Sequence, residues 1–133
     1  MITKNEQTYN RKSWLEGPLQ KSFGYALQGV SCFFRKERNG RLQVLIAGCI
    51  FLAGILLSIS ITEWLIILLF TALVISLEMF NSALEKLCDH ISFDWHRQIK
   101  VIKDMAAGAV LWASILSFLA GLFIFIPKIM QII

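Results

Sequence analysis

Apolar residues fall in three long blocks separated by polar segments. The blocks run roughly from Leu42 to Ser60, from Trp64 to Leu84 and from Met105 to Ile126. Each meets the ~20 residues a bilayer core requires, so each predicts a transmembrane helix. The link Ile61-Thr62-Glu63 leaves room only for a tight turn, which makes the first two spans an antiparallel hairpin. Pro127 is expected to stop the third helix, because proline lacks the N–H the helix ladder needs.

Upstream the pattern changes. Gly17-Pro18 places a proline at a first helical turn. Leu19, Phe23, Ala26, Leu27, Val30, Phe33 and Phe34 then recur with the helical period, while Gln20, Lys21, Gln28, Ser31 and Arg35 fall off the stripe. A basic amphipathic helix leading into a span reads as lying in the membrane interface. The expected plan is a polar tail (1–17), a surface helix (18–36), and spans over 42–60, 64–84 and 105–126. The second span continues to about residue 89, and a loop covers 90–102. The fold class is one all-α integral membrane domain.

Composition agrees: 56% of the 133 residues are hydrophobic, and the mean hydropathy is +0.64. The stretch from Met1 to Pro18 has no apolar core and no small-residue cleavage site, so no signal peptide is expected. Cys32, Cys49 and Cys88 are scattered, without a CxxC pair, and read as small apolar fillers. The net charge of +4 suits anionic lipid. No basic run with interleaved aromatics points to nucleic acid.

Basic residues also orient the chain. Lys4, Arg11, Lys12, Lys21, Arg35, Lys36, Arg38 and Arg41 precede span one, and Lys86, Arg97, Lys100 and Lys103 follow span two. The hairpin turn has none, and the C-terminal tail has only Lys128. Positive-inside bias places the N-terminus and the loop between spans two and three in the cytoplasm, with the C-terminus outside.

Glu78 interrupts this scheme. An ionisable group within a span costs at least a few kcal/mol and marks a functional site by default. Glu78 to Glu85 is a rotation of about 700°, and Glu78 to Asp89 about 1100°, so all three share one helix face within ~20°. Asn81 and Ser82 flank that line. Three carboxylates on one stripe repel one another, and a cation on the stripe relieves this. Hard oxygen ligands suit Mg²⁺, which takes one or two carboxylates plus substrate phosphates. Glu37 and Asp104 lie near the same face, and Lys103 suits a phosphate as a point charge.

Each piece also has a bland reading. Glu85 or Asp89 alone is a solvated helix end, Glu37 is charge balance among Arg35, Lys36, Arg38 and Arg41, and Lys103-Asp104 is an interfacial anchor. Glu78 itself would serve equally well in a proton-carrying or helix-pairing role. Ala109, Ala113, Ser117 and Gly121 form a small-residue packing stripe on span three. The cluster at 106–109, Ala107 included, lies at the cytoplasmic edge, where close approach also suits a ligand. No Walker A, GxGxxG or kinase HRD pattern is present.

These residues resemble the small prokaryotic diacylglycerol kinase/undecaprenol kinase family. The signature Glu-x-x-Asn-[Ser/Thr]-Ala-[Ile/Leu]-Glu-x-x-x-Asp stands here as Glu78 to Asp89, and Lys-Asp followed by small residues stands as Lys103 to Ala109. The likeness takes in Gly24-Tyr25, Gly29, Glu37 and the Asp94-Trp95-His96 loop, and covers roughly residues 18–128. It implies a homotrimeric lipid kinase using ATP and Mg²⁺ at the cytoplasmic face of a bacterial inner membrane, with sites built between subunits. It implies Glu78 as general base, and Glu37 and Glu85 as metal ligands that also serve ATP. Asn81, Lys103 and Asp104 would position phosphates and reacting groups. Tyr25, Asp94, Trp95 and His96 would contact the nucleotide, and Ala107 would line the lipid site beside Glu78. One departure is Pro18, where the family often has an Arg; Lys21 is the candidate substitute.

Lys36-Glu37-Arg38-Asn39 and the turn from Ile61 to Leu65 look like the undecaprenol kinase branch, which favours undecaprenol over diacylglycerol as the lipid alcohol. Two other readings compete. A small proton- or ion-conducting oligomer explains Glu78 but leaves Lys103-Asp104, Glu37 and the carboxylate stripe without a purpose. A membrane scaffold explains the small-residue stripe and little else.

Overall fold

The computed structural model describes residues 19–91 and 96–132. Four helices follow one another: α1 Leu19–Lys36, α2 Arg38–Leu56, α3 Ile61–Ile91 and α4 Arg97–Met130. The polar tail and Pro18 lie outside the described residues. The last three helices are long and apolar enough to cross a membrane. At a rise of 1.5 Å per residue, α3 with 31 residues and α4 with 34 outrun a ~30 Å hydrocarbon core. Each therefore has polar turns beyond its apolar stretch.

Only Glu37 separates α1 from α2. Its backbone is extended (φ −85°, ψ 130°) and caps α2 without a side-chain capping bond, which leaves the carboxylate free to reach α3. The α3–α4 pair forms the main helix interface, and α2 packs more sparsely against α3.

The first hairpin turn sits earlier than the sequence suggests. Residues 61–63 are already the first turn of α3, and the reversal occupies 57–60, where Ser58 takes a positive φ of 48°. The cause is a capping box. Ser60 N donates to Glu63 Oε2 at 2.6 Å, and Glu63 N donates to Ser60 Oγ at 3.3 Å. Ser60-x-x-Glu63 was the legible signal for it.

Two further expectations are corrected. Pro127 lies inside α4, which runs on to Met130. Proline here removes only the donor that would bond the Phe123 carbonyl, one turn back, and the residues after it stay helical. Lys128 then lies 3.6 Å from Glu63, joining the end of α4 to the start of α3. Residues 97–102, read as loop, are helical, because His96 caps α4 by accepting from Gln98 N through Nδ1 at 3.3 Å.

At the hairpin end Ile59, Ile67 and Ile124 are buried together, with Ile50, Phe51, Leu57, Trp64 and Phe125 packed around them. Phe51 and Trp64 stack with ring centres 5.6 Å apart. Gly54 permits this approach, since a Cβ there would meet the Trp64 ring at 2.8 Å and Ile59 Cδ1 at 3.0 Å. Gly54→Ala should therefore lower stability by about 1–3 kcal/mol through overpacking. At Gly48 an added Cβ meets nothing within 4 Å, so Gly48→Ala should cause no such loss. Thermal unfolding of both variants in one detergent checks this; equal midpoints would refute the tight contact.

Candidate active site

The site is assembled on the later turns of α3. Glu78, Asn81 and Ser82 are buried on it, Glu78 to 4% exposure, while Glu85 and Asp89 are exposed. The stripe read from the sequence thus runs from a buried carboxylate to solvated ones along one helix.

Partners come from either side of α3. Asn39, in the first turn of α2, donates Nδ2 to Glu78 Oε1 at 2.6 Å. Asn81 Nδ2 donates to Glu85 Oε1 at 3.2 Å, one helical turn on. Lys86 Nζ reaches Glu37 Oε1 at 2.5 Å, and Lys103 Nζ reaches Asp89 Oδ1 at 2.6 Å. Lys100 Nζ pairs with Asp104 Oδ2 at 2.6 Å along α4. The structure thus brings Glu78, Asn81, Glu85, Glu37, Lys103 and Asp89 onto or against α3. Asp104 turns instead to its own helix.

These ion pairs are solvated: Lys86 and Lys100 side chains are 61% exposed. Such pairs contribute about 0–1 kcal/mol each, so the site readily exchanges partners when a polyanion or a cation arrives. Glu78 differs. A buried carboxylate needs a hydrogen-bond donor, and Asn39 supplies one.

A cavity of about 530 Å³ opens between α2, α3 and α4. Its walls are mainly Ile, Leu, Phe and Val side chains, and its polar groups include Asn39, Gln43 and Glu78. Ile66 on its wall is twelve residues from Glu78, a rise of roughly 18 Å along α3. A hydrocarbon chain fits the walls, and a hydroxyl fits the end at Glu78.

Other expected site residues are more dispersed. Tyr25 and Lys21 are exposed on α1, and Ala107 is exposed on α4. His96 is at the cap of α4. Asp94 and Trp95 lie outside the described residues. Sequence reasoning missed Asn39, Gln43 and Lys86. Asn39 and Gln43 did carry a signal, as a polar pair four residues apart where span one begins.

Among the described residues, no group of three or more His, Cys, Asp or Glu side chains could hold a metal ion. Mg²⁺ does not require one, since it completes its shell with phosphate oxygens and water. Asn81 Oδ1 is buried without a hydrogen-bond partner, one turn from Glu85. An unpartnered amide oxygen and a carboxylate one helical turn apart are hard oxygen donors of the kind that fits Mg²⁺.

A buried base at the end of an apolar cavity, flanked by exchangeable lysine–carboxylate pairs, suits phosphorylation of a lipid. Residues 24–125 match the family described as prokaryotic diacylglycerol kinase. The chain belongs to that family. It is 39% identical over 109 residues to an undecaprenol kinase of Bacillus subtilis, covering 82% of this chain and 89% of that protein. It is 33% identical over 124 residues to a diacylglycerol kinase of Synechocystis, covering 92% and 71%. A diacylglycerol kinase of Helicobacter pylori is 33% identical over 103 residues, covering 73% and 80%. No solved structure matches significantly. The protein is a lipid kinase, with ATP as the phosphate donor implied by the family. Membership sets aside the ion-conducting and scaffold readings.

Proposed function

We propose that this lipid kinase transfers the terminal phosphoryl group of ATP to undecaprenol at the cytoplasmic face of the bacterial inner membrane. The observation that carries the reading is Glu78, a buried carboxylate on the wall of an apolar cavity. Glu78 takes the proton of the lipid hydroxyl. The freed oxygen forms a bond to the γ-phosphorus, the bond from that phosphorus to the β-phosphate bridging oxygen breaks, and ADP leaves. Phosphoryl transfer needs positioning and charge stabilisation more than covalent chemistry, which suits so small a site.

Glu37 and Glu85 would hold Mg²⁺, with Asn81 Oδ1 as a further oxygen. Bound there, the ion neutralises charge developing on the ATP phosphates. Glu37 bonds Lys86, a contact it would give up to hold the ion. Lys103 and Asp104 position the phosphates at the start of α4. Tyr25 and the Asp94-Trp95-His96 loop contact the nucleotide. Ala107, with no side chain beyond Cβ, leaves room for the lipid headgroup.

Placement follows from charge. Arg35, Lys36, Arg38 and Arg41 mark one end of α2, and Lys86, Arg97, Lys100 and Lys103 mark the matching ends of α3 and α4. That end faces the cytoplasm, where ATP is. α1 lies in the interface with Phe23, Leu27 and Val30 toward lipid. Few residues of the three spans are buried within one chain, which suits contact with lipid and with two further copies in a homotrimer.

The undecaprenol preference rests on the likeness to the Bacillus subtilis relative and on the Lys36-Glu37-Arg38-Asn39 segment. Purified protein in mixed micelles, given labelled ATP and Mg²⁺, should phosphorylate undecaprenol at least ~10-fold faster than diacylglycerol. Faster transfer to diacylglycerol would reverse the assignment.

A further inference from the structure

We propose that Asn39 is a positioning residue that holds Glu78 in the geometry for proton abstraction; this rests on the reading of Glu78 as general base. The contact joins residues 39 positions apart on different helices, with Asn39 Nδ2 2.6 Å from Glu78 Oε1. That distance puts the amide and the carboxylate in direct hydrogen-bond contact. Both residues line the same cavity.

The chemistry of the amide matters. A Lys or Arg at this position would hold the carboxylate as an ion pair and quench it as a base. A hydroxyl would rotate. The Asn side chain is a planar donor that neither takes the proton nor carries charge. With Oε1 engaged, Oε2 is the oxygen that meets the lipid hydroxyl.

Backbone geometry places the donor. Asn39 stands two residues after Glu37, whose extended conformation ends α1 and starts α2. One short segment therefore sets both a carboxylate of the proposed metal site and the donor to the base. Gln43 lies one turn further along α2 on the same cavity. Among the described residues, the donor to Glu78 is Asn39.

A purely structural staple between α2 and α3 would be tied to stability rather than to the chemical step. Kinetics in mixed micelles with ATP, Mg²⁺ and whichever lipid is turned over separate the two roles. The panel is wild type, Asn39→Ala, the near-isosteric Asn39→Asp, Glu78→Gln and the double variant Asn39→Ala/Glu78→Gln, each with its thermal midpoint. Asn39→Ala should lower kcat about 10–100-fold, as expected for a misplaced catalytic group, with KM for ATP within about twofold. Asn39→Asp should lose at least as much kcat, because it replaces the donor with a second negative charge; it is the deciding variant if Asn39→Ala does not fold. The double variant should be no slower than Glu78→Gln within about twofold, since Asn39 acts only through Glu78.

Wild-type kcat in a folded Asn39 variant, with Glu78→Gln inactive, would overturn the positioning role and leave the base intact. A double variant a further tenfold slower than Glu78→Gln would also overturn it. Full activity in Glu78→Gln would remove the base reading itself, and the Asn39 inference with it.

Discussion

Glu78→Gln should lower phosphoryl transfer to the lipid alcohol by about 10²–10⁴-fold, the usual contribution of a positioned general base. The substitution keeps the side-chain volume and keeps a carbonyl oxygen for Asn39 Nδ2 to bond. It removes only the ability to take a proton. Folding should survive, because a neutral amide at this buried position is easier to bury than a carboxylate. ATP binding should survive as well, since the role proposed for Glu78 is toward the lipid hydroxyl and not the nucleotide. The expected signature is a collapse of kcat with unchanged KM for ATP and an unchanged or raised thermal midpoint. Labelled ATP in mixed micelles measures the rate. A variant within tenfold of wild type would show that the buried carboxylate is not the base.

The second large effect is expected at Glu85. Glu85→Ala removes one carboxylate from the proposed Mg²⁺ site and leaves Asn81 Nδ2 without its acceptor. A metal ion on phosphoryl oxygens supplies several kcal/mol of charge stabilisation, so partial loss should cost on the order of 10²-fold in rate. Unlike Glu78→Gln, this loss should shrink as Mg²⁺ is raised, because the phosphates and Glu37 still supply oxygen ligands. Rates across a Mg²⁺ titration distinguish the two variants, and Mn²⁺ binding followed by electron paramagnetic resonance reports the site without turnover. A rate deficit independent of Mg²⁺ would move Glu85 from metal binding to another task.

The two predictions rest on depth. Glu78 and Glu85 are seven residues apart, about 10 Å along a helix. That separates a buried carboxylate at the cavity from an exposed one in the solvated extension of α3. On the proposed reading, one helix that outruns the bilayer would present a base to a lipid and a ligand to the water-borne side.

Much of this was readable in the residues. Hydropathy blocks mark the spans, and a rotation of 100° per residue puts Glu78, Glu85 and Asp89 on one face before any coordinates are known. The errors were local. Ile61-Thr62-Glu63 looks like a turn by its shortness, but the Ser60–Glu63 capping box makes it the first turn of α3. Residues 97–102 looked like loop because hydropathy tracks lipid contact, whereas the helix ladder extends wherever a cap such as His96 permits. Pro127 leaves α4 helical, since a proline near a helix end removes one bond and need not end the helix.

What the sequence determined by itself is periodic and local: four helices' worth of pattern, the depth of Glu78, and the order of carboxylates along α3. What only the tertiary structure decided is which groups meet across helices. Asn39 on Glu78, Lys86 on Glu37 and Lys103 on Asp89 join residues 39, 49 and 14 positions apart. Helical period places a side chain on a face but says nothing of the rotation and axial register at which two helices pack. Those depend on the reversal at Ser58, on the break at Glu37, and on the close approach at Gly54, all of which are settled by packing between elements.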